Sequence, residues 1–189
     1  MNIKKLLLFP ILVLVILAMM TSDSFSVVIV VKDFTSTIIT EPDSLGARGY
    51  RLLVRWELPL FPKDALIEYA ELTLEANIPQ VLTKPLFIAS FPMLKLWDET
   101  NPSWVTSRDW DEDFPFLSGV RMESSGIQTL QFDITELVHD WVTGIKLNNG
   151  IIIKPPEAEG VLKAGTIDID SKNSNMKIII YYTSADELK

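Results

Sequence analysis

Three tryptophans lie close together in a segment rich in turn-forming and acidic residues. Trp97, Trp104 and Trp110 occur among Asp, Glu, Pro, Ser and Gly in the stretch 97–126. Flat indole rings stack on the apolar faces of sugar rings, and binding residues concentrate on loops. The spacing therefore predicts a sugar-binding platform or, alternatively, three aromatic side chains that cap one end of a hydrophobic core.

The densest cluster of carboxylates overlaps the same segment. Asp109, Asp111, Glu112 and Asp113 supply oxygen ligands that are close in sequence, which is one way in which proteins bind calcium. The cluster lacks the glycine and the distal glutamate of a helix–loop–helix calcium site. Two interpretations stay open, a structural calcium site and a solvated acidic loop, and no other cofactor is expected.

A pair of arginines marks a further candidate binding surface. Arg51 and Arg55 are four residues apart on one face of a predicted strand, so their side chains can approach each other. They could pair with uronic-acid carboxylates if further cations converge on that face, the candidates being Arg48, Lys84, Arg121 and Lys154. The alternative is structural ion pairing with Glu71 or Glu75 on the following strand.

The sequence contains no recognisable catalytic constellation. It has no cysteine, no G-x-S-x-G motif, and a single histidine, His139, which lies off the apolar stripe of its predicted helix and is interpreted as a solvated residue. A glycoside hydrolase needs two carboxyl groups at a defined separation, which a sequence does not reveal. We therefore expect a non-catalytic protein, with a small glycan-active hydrolase as the less favoured alternative.

Composition excludes several other classes of protein. The chain has 189 residues, of which 48% are hydrophobic and 22% charged, with a net charge of −8. This is too apolar for a disordered chain and too acidic for a nucleic-acid binder. The absence of cysteine excludes disulfide scaffolds, thiol catalysis and iron–sulfur clusters.

The N-terminus has the order of segments found in secretory signal peptides. Lys4 and Lys5 precede an apolar run over 6–20 that is shorter than the roughly 20 residues a membrane-spanning helix needs. Ser24 and Ser26 suit cleavage before Val27. We predict a signal peptide at 1–26 and a secreted or cell-surface protein; the alternative is an uncleaved leader, which is the only membrane contact expected.

The rest of the chain has the patterning of a mainly β protein. Ala70, Leu72, Leu74 and Ala76 alternate with polar residues, as in a strand that buries one face. The predicted strands cover 27–31, 50–58, 70–77, 87–96, 126–132, 151–153, 162–169 and 176–182.

One segment has helical periodicity instead. Ile134, Leu137, Trp141 and Ile145 belong to an apolar stripe at helical spacing, which predicts a short amphipathic helix over 133–144. Asp133 is placed as its N-cap in a capping box with Glu136, and Gly144 as its left-handed C-terminus. The pattern predicts one domain over 27–185, a tail at 186–189, and a jelly-roll-like, two-sheet antiparallel β-sandwich with this helix in a crossover connection.

Four stretches in order resemble the DNRLRE domain, a disaggregatase-related family that overlaps carbohydrate-binding module family 96. They are the strand 51–58, the segment 62–74, the tryptophan loop 97–110, and 132–151 with its D-I-T-E-L-V-H-D-W and N-G-I sequences. The fourth stretch is also similar to the prodomains of transforming growth factor beta proteins. The chain departs from the DNRLRE pattern at Lys63-Asp64, where glycine is usual, and in the tryptophan spacing.

The resemblance implies a sandwich fold and an exported, non-catalytic module. Some members of the family bind acidic or neutral polysaccharide, and others are building blocks of cell surfaces or matrices. The expected partner is therefore a polysaccharide, with self-association as the alternative and no nucleic acid.

Overall fold

The computed structural model describes residues 26–42, 48–79, 82, 84–98, 100, 110, 118–156, 167–169 and 175–184. This part of the chain contains nine strands and one helix. In chain order they are β1 (Ser26–Val31), β2 (Thr35–Pro42), β3 (Arg48–Arg55), β4 (Leu66–Ile78), β5 (Leu86–Pro92), β6 (Ser118–Met122), β7 (Gly126–Asp133), α1 (Thr135–Val142), β8 (Ile151–Lys154) and β9 (Lys177–Thr183).

The strands form two antiparallel sheets, which confirms the predicted sandwich. One sheet has four strands in the order β1-β9-β4-β7, and the other has five in the order β2-β3-β8-β5-β6. From β3 onwards most connections pass from one sheet to the other, as in jelly rolls. Helix α1 lies in one of these crossovers, between β7 and β8, as the sequence predicts.

The main core lies between the two sheets. In β4 the inward side chains of Leu72, Leu74 and Ile78 are almost completely buried. On the neighbouring strand β7, Phe132 pairs with Leu72 and Leu130 with Leu74, and both are buried in the same core. Successive side chains of a strand point to opposite faces, so the alternation visible in the sequence assigns the inward residues of 70–77 and 126–132 correctly to the inside, whereas Ile78 lies beyond the predicted strand.

Helix α1 covers the start of β4 but is shorter than the predicted 133–144 at both ends, and Ile145 of the predicted apolar stripe is 67% exposed. Ile134 occupies the N-cap position and makes no side-chain cap hydrogen bond, so the predicted capping box of Asp133 with Glu136 is wrong. The Asp133 carboxylate instead accepts hydrogen bonds from the Thr135 N–H (3.0 Å) and hydroxyl (2.6 Å). Gly144 adopts the predicted left-handed conformation, with φ of 75°.

Two described strands are absent from the prediction, and others have different bounds. The pattern gave no signal for β2, and β6 lies inside the segment expected to be irregular. Part of the predicted strand 162–169 and the whole predicted leader except Ser26 lie outside the described residues. Within the described part of the chain, no helix is long and apolar enough to cross a bilayer.

Candidate ligand-binding surfaces

The outer face of the five-stranded sheet has a second, smaller core. Leu53 of β3 and Ile152 of β8 point away from the main core yet are completely buried, together with Ala89, Phe91, Met93, Trp97 and Trp110. A bridge between Met93 and Trp110 fixes the segment after β5 over this face. The central strands β3 and β8 are therefore buried on both faces, whereas alternation in β3 predicted a half-buried strand.

Cationic side chains lie against the aromatic rings of this second core. The Arg51 guanidinium carbon is 4.7 Å from the ring centroid of Trp110, and that of Arg55 is 5.5 Å from Trp97. The buried Lys154 ammonium lies 4.3 Å from the Trp110 centroid and 4.6 Å from that of Phe91. Such stacking stabilises the cations because the ring faces are electron-rich.

The predicted tryptophan platform is accordingly buried where the structure describes it. Trp97 is 3% exposed and Trp110 is 5% exposed, so both rings fit the alternative of aromatic core side chains. The predicted residue Trp104 and the four proposed calcium ligands lie outside the described residues, and their predictions stay untested. Within the described ranges no cluster of three or more His, Asp or Glu side chains could hold a metal.

The arginines do not pair with the glutamates named as their structural alternative. Strands β3 and β4 belong to different sheets, and Glu71 and Glu75 lie on the outer face of the four-stranded one. Sequence adjacency misled the prediction because the connection between β3 and β4 crosses the sandwich. Arg51, Arg55 and Lys154 do share one face. Arg121 of the edge strand β6 lies on the same face, opposite Phe87 of β5, and pairs with Glu123 at 3.0 Å.

The outer face of the four-stranded sheet has a different character. Tyr69 of β4 and Tyr181 of β9 are in register, their ring centroids are 6.1 Å apart, and each residue is more than a third exposed. Glu71 accepts hydrogen bonds from the Tyr69 hydroxyl (2.7 Å), the Thr73 hydroxyl (3.0 Å) and the Gln131 amide (3.1 Å). We call these five residues the tyrosine face.

The tyrosine face depends on an irregularity in β4. Ile67 pairs with Tyr182 and Tyr69 pairs with Tyr181, so β4 has one extra residue, Glu68, at this point. A β-bulge shifts the side-chain alternation by one residue. It lets both Ile67 and Ala70 point into the core while Tyr69 points outwards. The predicted strand began at Ala70, so this surface was not predicted. The strand 177–183 has five consecutive apolar or aromatic residues, 178–182, so its pattern does not indicate which tyrosine points outwards.

Glu71 also changes the proton affinity of its neighbour. The hydrogen bond to the Glu71 carboxylate, then burial and the nearby negative charge, raise the pKa of Tyr69 to about 12. The Tyr69 hydroxyl is therefore a protonated donor at neutral pH, and the face offers carboxylate, amide and hydroxyl groups beside two aromatic rings.

Comparison with known proteins adds no assignment. No protein-family model matches the chain, and no curated protein matches it. The kinship with the DNRLRE domain therefore stays a prediction based on the four stretches quoted above.

Proposed function

We propose that the chain is an exported, non-catalytic module that binds neutral polysaccharide across the tyrosine face. The proposal depends chiefly on one observation, the adjacent exposed rings of Tyr69 and Tyr181 on the outside of the four-stranded sheet. Aromatic rings attract the C–H faces of sugars, and neighbouring polar groups hydrogen-bond their hydroxyls. Glu71 and Gln131 supply such groups beside Tyr69.

The predicted leader and the resemblance to a family with polysaccharide-binding members support the same role. The tyrosine face replaces Trp97 and Trp110 as the proposed platform, because those rings lie beneath arginine side chains and the surrounding chain. A sugar ring would have to displace that packing to reach them.

Affinity electrophoresis of the full chain through gels containing single neutral polysaccharides tests the proposal. Replacing Tyr69 and Tyr181 together by alanine is expected to weaken retardation at least about tenfold, because each ring contributes on the order of 1 kcal/mol. The matched variant with phenylalanine at both positions keeps the rings and is expected to retain most of the binding. Circular dichroism verifies that both variants fold.

Two outcomes would contradict the proposal. The wild-type chain could migrate unretarded in every gel, or the double alanine variant could be retarded as strongly as the wild type.

The second candidate function, self-assembly, has its own structural support in strand β1. This strand is an edge of the four-stranded sheet, and Val28 and Val30 on its outer face are each half exposed. Exposed apolar edge strands readily pair with further strands. If β1 strands of two copies pair antiparallel about a twofold axis at Ile29, Val28 of one copy lies opposite Val30 of the other. A register shifted by one residue would place outward side chains of one copy opposite inward side chains of the other.

Sedimentation velocity over a range of concentrations tests this candidate. Val30→Lys is expected to abolish a concentration-dependent dimer, and the exposed Ile127→Lys on β7 serves as the matched control. A wild-type chain that sediments as a monomer at every concentration excludes assembly through β1.

A further inference from the structure

Three segments converge at one end of the five-stranded sheet. Val54 of β3 pairs with Ile151 of β8, and Ile151 pairs with Pro92 of β5. The residues after β3, after β5 and before β8 therefore leave adjacent strands at the same end. Hydrogen bonds join the three segments: Asn148 Nδ2 donates to the Trp56 carbonyl (2.8 Å), and Asn149 Nδ2 donates to the Leu94 carbonyl (2.9 Å).

Each of these segments exposes large aliphatic side chains. Leu60 is 99% exposed, Leu147 is 80% exposed, and three further residues are more than half exposed. We call this set the aliphatic tip; its members are Leu60, Leu94, Leu96, Ile145 and Leu147. They account for five of the eleven large hydrophobic residues exposed in the described part of the chain, and such concentration marks an interaction site.

Lysines alternate with the aliphatic side chains of the tip. Two of the segments have the same three-residue pattern, Leu94-Lys95-Leu96 and Ile145-Lys146-Leu147, and Lys63 follows Leu60 by three residues. Lys146 lies 3.4 Å from the Asp140 carboxylate and keeps about a third of its side chain exposed. Exposed acidic residues, Glu57 and Asp98, lie in the same segments.

We infer that the aliphatic tip inserts into the interface of a phospholipid bilayer. Aliphatic side chains on separate loops enter the boundary between headgroups and acyl chains, while lysine stems bury along it and hold their ammonium groups at the phosphates. Because Glu57, Asp98 and the Asp140 carboxylate beside Lys146 offset part of the lysine charge, insertion of the aliphatic groups supplies most of the affinity. The inference goes beyond polysaccharide binding and does not depend on it.

The arrangement favours a bilayer over a second copy of the chain. A stable protein interface needs a continuous, close-packed apolar centre with few charged residues. Here a lysine separates the exposed aliphatic residues within two of the segments, so each segment offers apolar groups for the acyl chains and an ammonium group for the phosphate layer above them.

Single-cysteine labelling of the full chain tests the inference. The chain has no cysteine, so Leu147→Cys can be labelled uniquely with a nitrobenzoxadiazole dye, whose emission shifts to the blue in an apolar environment. Ile127→Cys is the matched control: it is 77% exposed and lies at the start of β7, where Gly126 pairs with the end of β4. Comparing two positions on one chain separates insertion of the tip from adsorption through another region.

Vesicles of phosphatidylcholine, alone or mixed with phosphatidylserine, are expected to shift the emission of the dye at 147 but not at 127. Lipids with a quencher in the upper acyl chain should quench only the dye at 147. Adding Leu60→Ser and Ile145→Ser to the labelled chain is expected to weaken vesicle binding about tenfold or more, since both side chains lose their contact with lipid.

Other outcomes overturn the inference. Equal responses at 147 and 127, or no response at either, exclude insertion of the tip. A blue shift at 147 that grows with protein concentration in the absence of vesicles identifies a second copy of the chain as the occupant instead.

Discussion

Gly150 lies where the chain turns into β8, at a position that tolerates no side chain. Its φ of 83° disfavours other residues, and a Cβ there would collide with the Val54 carbonyl oxygen. We predict that Gly150→Ala lowers the free energy of unfolding by roughly 3 kcal/mol, because it adds both backbone strain and overpacking. Urea denaturation measures the change. Gly126→Ala is the control, because its φ of 102° gives backbone strain but an added Cβ there would touch no other atom. An equal loss of unfolding free energy in both variants would contradict a collision at Gly150.

The raised pKa of Tyr69 links stability to alkaline pH. Its pKa is about 12 in the folded chain and 10.0 in the absence of perturbation, so its contribution to stability is complete below pH 10 and is lost as the pH rises from 10 towards 12. Tyrosinate absorbance measures the titration, and Tyr69→Phe identifies the step. We expect Glu71→Ala to lower this pKa towards 10, because it removes both the acceptor and the negative charge.

Glu75→Ala provides the matched control for that titration. Glu75 lies on the same strand and the same face as Glu71, but the carboxylate that accepts the Tyr69 hydroxyl is that of Glu71. A titration of Tyr69 that Glu71→Ala leaves unchanged, or that Glu75→Ala shifts as much, would contradict the assignment.

At the scale of elements, Trp97 tests whether the segment after β5 belongs to the folded core. Its indole is buried in the second core beneath the Arg55 guanidinium. Trp97→Ala is therefore expected to cost about 3–5 kcal/mol of the free energy of unfolding, as for other buried aromatic residues. The adjacent Leu96→Ala should cost about 0.5 kcal/mol or less, because Leu96 is mostly exposed. Chemical denaturation of both variants decides between a core and a surface role.

Elements with one buried face were predictable from alternation, and the apolar run 151–153 predicted β8, but the second buried face of β3 was not predicted. The alternation of β4 and the helical spacing of Leu137 and Trp141 follow from a single apolar side. The burial of Leu53 and Ile152 depends on the segment that folds over the second face, which local periodicity does not reveal. The second core was therefore not predicted, and Trp97 and Trp110 could be interpreted either as a sugar-binding platform or as core residues.

The candidate sites show the same division between local and non-local information. Arg51 and Arg55 share a face because of strand geometry alone, as predicted. The pairing of Tyr69 with Tyr181 depends on the bulge at Glu68 and on the register between β4 and β9. The paired residues of these two strands are more than 100 positions apart in the sequence. Such registers follow from the whole core, so single-sequence patterns did not indicate the tyrosine face.

For the molecule as a whole, the net charge of −8 predicts how polysaccharide binding depends on ionic strength. Neutral polysaccharides bound by stacking at the tyrosine face have no charge to screen, so their retardation should not change with salt. An acidic polysaccharide bound at the same face would be repelled by the protein's overall charge. Its retardation should therefore grow with added salt, which shortens the screening length to about 10 Å near 0.1 M.

The opposite salt dependence would identify a different surface. If Arg51 and Arg55 bound the acidic chain, local attraction would dominate and retardation would fall as salt is added. Measuring neutral and acidic polysaccharides in parallel at low and high salt separates the two cases. Arg55→Gln removes one cation from that surface while Tyr69→Ala leaves it intact, so the variant that changes the salt dependence shows which sheet holds the ligand.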